Sequence, residues 1–377
     1  MKNRSYSQKK SSSLCLCAGI FSLVVLMTTM AFAQNESCKA PSGFIDMNLA
    51  PSVFSARGGE GDEDEKGIGG TGLQPVGTGD GVGGTGSPYH SAYISGVVYA
   101  YGSICVNGLR VKYDAQTPVY LNGKKVDHSA LTLGSTVKIL SSVDGVSGTL
   151  SADRIDIERI VTGPVTAIDL ESHTLSVMNE TVLIDATDIP FSVGEIVSVS
   201  GLRRTDGQIL STSLTPALPG ADESLVGSLK QETDGQWIVG RTLAELPNDE
   251  KAVSGQTVFV QGKWEGGRFI VSRLTALSPL PAINEKVRTY ISYEGILETF
   301  HEDRSIVLSG LQATVKDLLC GGEPLEKGER IIAMGSLRPD GTVFFDGLVD
   351  VEPEETKILD NKSRAVSKPE SKAAYND

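Results

Sequence analysis

The sequence predicts an all-β chain built from four tandem small barrels, and three observations carry that prediction. The first is repetition. Three and five residues beyond Gly134, Gly194, Gly255 and Gly328 stand Val137 and Ile139, Val197 and Val199, Val258 and Val260, and Ile331 and Ala333. Two, four and seven residues beyond Gly148, Gly207, Gly267 and Gly341 stand Leu150, Ala152 and Ile155; Ile209, Ser211 and Leu214; Phe269, Val271 and Leu274; and Val343, Phe345 and Leu348. Similarity at a period of roughly sixty to seventy residues marks copies of one unit, not one large fold. The second observation is alternation of apolar with polar residues, rich in Val, Ile and Thr, which is the pattern of half-buried strands. The third is the odd step between the last two offsets. It turns one of the two residues away from the core unless the strand bulges, and a bent last strand is what closing a small barrel requires.

In chain order, Lys2, Arg4, Lys9 and Lys10 precede an apolar run from Leu14 to Met30 and the small-residue site Ala31-Phe32-Ala33. Residues 1–33 therefore read as a signal peptide cleaved before Gln34, in preference to a membrane anchor, and the mature chain is expected in the periplasm or outside the cell. Residues 34–92 hold the acidic run Glu60-Gly61-Asp62-Glu63-Asp64-Glu65 and the glycine hexapeptides starting at Gly67 and Gly81, a composition too poor in apolar surface to offset backbone entropy. They read as a flexible leader. The repeats are placed at 93–159, 160–221, 222–283 and 284–353, and the charged tail 354–377 is expected to be disordered.

In the first repeat, Gly96 to Tyr101, Ile104 to Val106 and Leu109 to Tyr113 read as strands, with Asn107-Gly108 a tight hairpin turn. A less regular stretch from Pro118 to Leu133 crosses to a second hairpin, whose turn carries Asp144-Gly145, Asp206-Gly207, Glu265-Gly266-Gly267 or Asp340-Gly341 in the four copies. Five strands with a crossover between the third and fourth fit a small barrel of the oligonucleotide/oligosaccharide-binding type; stacked open sheets are the alternative. Pro216, Pro219, Pro279 and Pro281 suit linkers between repeats.

Removing residues 1–33, with four basic and no acidic side chains, takes the formal charge from -13 to -17. Such a chain repels phosphate backbones, so nucleic acid is not an expected partner. After cleavage, Cys38, Cys105 and Cys320 remain, an odd count that leaves at least one thiol unpaired or paired between chains; a structural role fits them better than catalysis. His90, His128, His173 and His301 show no metal-ligand spacing, and each falls in an expected loop or turn. The glycine hexapeptides lack the strand, helix, Lys and Ser/Thr of a phosphate loop, and the acidic run departs from the calcium-loop pattern. No cofactor, metal site or catalytic set is therefore predicted. Trp237 and Trp264 both fall in the third repeat; they form an aromatic binding platform if exposed, or fill the barrel if not.

The segment from Gly96 to Asp114, the Gly-x-Val openings, the Asp-Gly hairpins and the GIGGTG leader resemble a bacterial family catalogued as a domain of unknown function, number 5666. The resemblance spans about residues 67 to 353, with Ser141 standing where the other copies have Gly201, Gly262 and Gly335. It implies tandem repeats of small β-barrels in an exported envelope protein, and supplies no catalytic residue.

Two functions from different classes follow. One is a non-enzymatic exported protein that binds or scaffolds an envelope component, either a protein or a polysaccharide, with no integral membrane segment. The other is an enzyme acting on envelope polymers, which would gather ionisable side chains from adjacent repeats in one unrepeated pocket. Single-stranded nucleic-acid binding rests on fold analogy alone and is opposed by charge.

Overall fold

A computed structural model describes residues 38, 87–100, 103–184, 189–247, 252–283, 287–320 and 323–351. The expected signal peptide, nearly all of the leader and the tail lie outside the described residues. The chain divides into two units, residues 1–39 and 40–377, and every described residue except Cys38 belongs to the second. The described residues are all-β, with one 3-10 turn at His128–Ala130 and no helix long and apolar enough to cross a membrane.

The second repeat contains β8 (Val161–Asp169), β9 (Thr174–Val177), β10 (Glu180–Leu183), β11 (Ile196–Arg203) and β12 (Ile209–Pro216). These strands close a five-stranded barrel: β8 pairs β9, β9 pairs β10, β10 pairs β12 in parallel, β12 pairs β11, and β11 returns to β8. Pro216, read above as a linker, is the last residue of β12, at a strand end where no ladder donor is needed.

The other units follow the same order of pairings. In the third, β13 (Glu223–Gln231), β14 (Trp237–Val239), β15 (Thr242–Glu245), β16 (Thr257–Glu265) and β17 (Arg268–Ala276) pair in the order 13-14-15-17-16-13. The first has β1 (Ser91–Ala100), β2 (Ile104–Val106), β3 (Leu109–Lys112), β6 (Thr136–Val143) and β7 (Leu150–Glu158) in the order 1-2-3-7-6-1. Between its third and sixth strands the stretch expected to be irregular forms a further hairpin, β4 (Val119–Leu121) and β5 (Lys124–Val126), whose β4 pairs in parallel with β7. The fourth has β18 (Thr289–Phe300), β19 (Ser305–Leu308), β20 (Leu311–Val315), a short pair β21 (Leu319–Cys320) and β22 (Glu323–Pro324), then β23 (Arg330–Leu337) and β24 (Val343–Asp350).

The units share sheets in pairs, and not in chain order. β1 and β18 run in parallel from Ser91↔Thr289 to Ser95↔Tyr293, joining the first and fourth units in one twelve-stranded sheet. β8 and β13 pair through Ser224↔Thr162 and Leu225↔Val161, joining the second and third in a ten-stranded sheet. Each partner inserts into the other's core: Tyr290 of β18 lies in the apolar cluster of the first unit, and Tyr93 of β1 in that of the fourth.

The odd sequence step is a bulge in every copy. The pairing register slips opposite Leu140/Ser141, Ser200/Gly201, Gln261/Gly262 and Met334/Gly335, leaving Asp153, Thr212, Ser272 and Asp346 unpaired on the last strand. The slip lets Leu150 and Ile155, or Val343 and Leu348, both reach the interior. It also draws the two strands together. A Cβ on Gly201 would stand 2.3 Å from the Leu210 carbonyl oxygen, and one on Gly262 or Gly335 would stand 1.9 Å from that of Ile270 or Phe344. No side chain fits at those distances. The first unit has Ser141 there, buried, with its hydroxyl lacking a hydrogen-bond partner.

Buried ion pairs lie beside both unit pairings. Glu180 is fully buried; its Oε2 accepts from Arg203 Nη1 at 2.5 Å, while Oε1 accepts from Thr242 Oγ1 at 2.7 Å and the Arg241 amide at 2.8 Å. Glu294 accepts from Arg330 Nε at 2.7 Å and from the Val97 amide of β1 at 2.9 Å. In each case one carboxylate serves an arginine of its own unit and a donor of the next. Removing such a carboxylate strands the buried partners, whatever the net worth of the intact pair.

Two predictions follow for stability, both read from urea midpoints of the purified protein. Gly262→Ala destabilises by about 1–3 kcal/mol or more through overpacking, whereas Ser141→Ala stabilises by about 1 kcal/mol by removing an unpaired hydroxyl; equal effects of the two would refute the close approach as the constraint. Glu180→Ala costs about 3–5 kcal/mol, and a change under about 1 kcal/mol would mean that the pair is not desolvated in solution.

Candidate functional site

One face of the ten-stranded sheet carries an unbroken polar row. Thr215 lies opposite Ser198, Ser198 opposite Thr162, Thr162 opposite Ser224, and Ser224 opposite Gln261, so one row crosses β12, β11, β8, β13 and β16. Residues directly opposed in a ladder share a face, and their chain neighbours point the other way. The adjacent row, Leu214, Val199, Val161, Leu225 and Val260, accordingly lies in or against the core. Thr162 and Ser198 hydroxyls meet at 3.1 Å, and Thr162, Ser198 and Ser224 are each less than a tenth exposed.

The first unit covers this row without touching it everywhere, leaving a cavity of about 190 Å³ lined by the five residues of the row, Phe259, and the 121–132 segment. Arg159 fixes the far wall. Its amide donates to Asn122 Oδ1 at 2.9 Å and Asn122 Nδ2 donates back to the Arg159 carbonyl at 3.2 Å, tying the β4–β5 turn to the strand junction. Its Nη1 donates to Ser200 Oγ at 2.5 Å and to Ser135 Oγ at 3.1 Å, one hydroxyl from each unit. Thr212, the bulge residue of β12, donates through Oγ1 to the Gly134 carbonyl at 2.7 Å and closes the same seam. Lys124 and Asp222 stand exposed at the rim.

The ionisable groups of this pocket come from different units: Arg159 and Lys124 from the first and Asp222 from the third. Arginine stays protonated and cannot serve as a base. The Thr162 and Ser198 hydroxyls bond to each other instead of to an imidazole or carboxylate that would activate a nucleophile. The pocket can therefore orient a polar ligand through groups that both donate and accept.

The residues singled out from sequence lie elsewhere. Trp237 and Trp264 are half-buried and pack against the core shared by the second and third units; the Trp264 amide donates to Glu223 Oε2 at 2.5 Å. Cys38 and Cys105 each take part in a disulfide, and Cys320 is a buried free thiol. His128 Nε2 lies 2.8 Å from the Thr117 carbonyl with its ring beside Tyr113, and His173 occupies a turn at φ 52°. Among the described residues no group of His, Cys, Asp and Glu could hold a metal ion. The hairpin acids do turn chemistry: Ser147 donors hold the Asp144 carboxyl below its usual range, and Thr342 donors do so for Asp340.

Sequence reading missed the pocket wall. Asn122-Gly123 is the same two-residue hairpin signal as Asn107-Gly108, with φ of 46° and 82°, and it marked the β4–β5 turn in the stretch read as irregular. The polar row had no such signal, because it is assembled from five strands of two units.

The fold and its seam define a class: an all-β chain of repeated units containing a closed five-stranded barrel, joined by shared sheets. Within that class, residues 93–156 and 157–214 match a family model described as a domain of unknown function (DUF5666), so the chain carries two adjacent copies of that domain. No curated protein and no solved structure matches the chain.

Cys320 yields a testable consequence. Burial, with smaller contributions from Asp350 and Glu329, pushes its thiol up to about 12. A raised folded-state value favours the neutral thiol, so its contribution to stability is complete below the usual thiol range and is lost as pH rises toward 12. Native protein at pH 8 should resist iodoacetamide at Cys320 and react once denatured; rapid native labelling would show that the thiol is not held in the core.

Proposed function

We propose that this is an exported scaffold of the bacterial envelope, built of four barrels of the oligonucleotide/oligosaccharide-binding type, that binds an envelope protein or polysaccharide. The observation that carries the reading is the seam between units: shared sheets, exchanged core tyrosines and buried carboxylates tie the units together instead of leaving them as beads on linkers. Support for the barrel type comes from the strand order of each unit, 1-2-3-5-4-1 in its own numbering once the extra hairpins are set aside, with a parallel third–fifth pairing. Support for export comes from the basic, apolar and small-residue pattern of residues 1–33 and from disulfide-bonded Cys38 and Cys105, which suit an oxidising compartment.

A second reading, an enzyme acting on envelope polymers, is favoured by one observation: the junction pocket is unrepeated and draws Arg159, Lys124 and Asp222 from neighbouring units. Crosslinking in intact cells, with sequencing of the recovered N-terminus, separates these readings. A scaffold begins at or near Gln34, yields stable crosslinks to one envelope component and leaves isolated envelope polymer unchanged. Recovery from the cytoplasm with Met1 in place overturns export, and progressive cleavage of the polymer overturns the scaffold.

A further inference from the structure

We propose that the junction pocket is a binding site for a single neutral sugar ring. This goes beyond the scaffold reading and holds or fails without it. The floor is the row Ser198, Thr162, Ser224 and Gln261, which offers hydroxyls and an amide side by side across paired strands. Each hydroxyl both donates and accepts, and Gln261 presents one group of each kind, the combination that matches a polyol whose every hydroxyl is itself donor and acceptor. Phe259, two residues before Gln261 on the same strand face, adds an apolar surface for the carbon-bound hydrogens of a ring.

Size and charge narrow the ligand. A cavity of about 190 Å³ exceeds the space a benzene ring fills in an engineered protein cavity, roughly 150 Å³, and has room for one sugar ring. An anion is the rival occupant, since Arg159 and Lys124 border the space. Against it stand Asp222 on the same rim, the net charge of -13, and a floor of rotatable hydroxyls where an anion site uses fixed donors. The wall is formed before any ligand arrives, because Arg159 and Asn122 hold the β4–β5 turn in place through their own hydrogen bonds. The ring could be a free monosaccharide or the terminal residue of a polymer, and both present the same chemistry.

The test is saturation-transfer NMR and calorimetry on the full mature chain with glucose, galactose, mannose, N-acetylglucosamine and, as the anion, inorganic phosphate. At least one sugar should bind saturably, and phosphate should not displace it. Thr162→Val, which keeps side-chain shape and lowers the melting temperature modestly by leaving Ser198 unpaired, and Gln261→Ala, at a partly exposed position, should each weaken binding by about tenfold while the protein stays folded. An oligosaccharide ending in the same residue that binds as tightly identifies a polymer end as the source; binding of the free sugar alone identifies a soluble one, and either supports the site. The proposal is overturned if no sugar saturates, if both folded variants bind unchanged, or if phosphate competes at lower concentration than the sugar.

Discussion

The close approach of two strands at the bulge governs the rest of this structure. In three of the four units, where the last strand gains one unpaired residue, one of its carbonyls comes within 1.9–2.3 Å of where a Cβ would sit on the neighbouring strand, at Gly201, Gly262 and Gly335. Only glycine tolerates that contact without displacement of the carbonyl. The gain is curvature: a bulge bends its strand and restores the facing of the residues beyond it, so Phe345 and Leu348 both reach the core across an odd step. The first unit keeps the bulge with Ser141 in place of glycine, its hydroxyl buried without a partner.

The outer faces of the units must still be covered, and the seams do this with mixed chemistry. Apolar exchange, Tyr93 into one core and Tyr290 into the next, supplies burial. Glu180 and Glu294 supply direction, because a desolvated carboxylate is tolerated only where an arginine and a neighbouring unit's donors converge. At the third seam, between the first and second units, Arg159 reaches hydroxyls on both sides. The pocket exists because that seam is propped open: Arg159 and Asn122 fix the β4–β5 hairpin above a row of hydroxyls that would otherwise face water. A site made this way belongs to no single repeat, which is how a chain of similar units acquires one unique feature.

The strands and hairpins of a unit were legible from Gly, Val and Ile spacing, and the bulge was legible from one odd offset. The acidic hairpin residues were likewise readable as turn formers, as the donors around Asp144 and Asp340 bear out. Less of the site could be read. Arg159 stands at a unit boundary with no motif around it, and Thr162, Ser198 and Ser224 look like any outward strand residues. Trp237 and Trp264, conspicuous in the sequence, proved to be half-buried packing residues away from the pocket.

Local periodicity and turn chemistry depend on residues a few positions apart, so the sequence by itself determined the β character, the repeated unit, its bulge and its acidic turns. Which units share a sheet was decided only by the tertiary structure. Parallel pairing of β1 with β18 joins segments about two hundred residues apart along the chain and depends on complementary faces, not on spacing. The same holds for the polar row. Its five members are neighbours only because β8 and β13 align Thr162 with Ser224, and a register set by packing across strands leaves no periodic trace along any one of them.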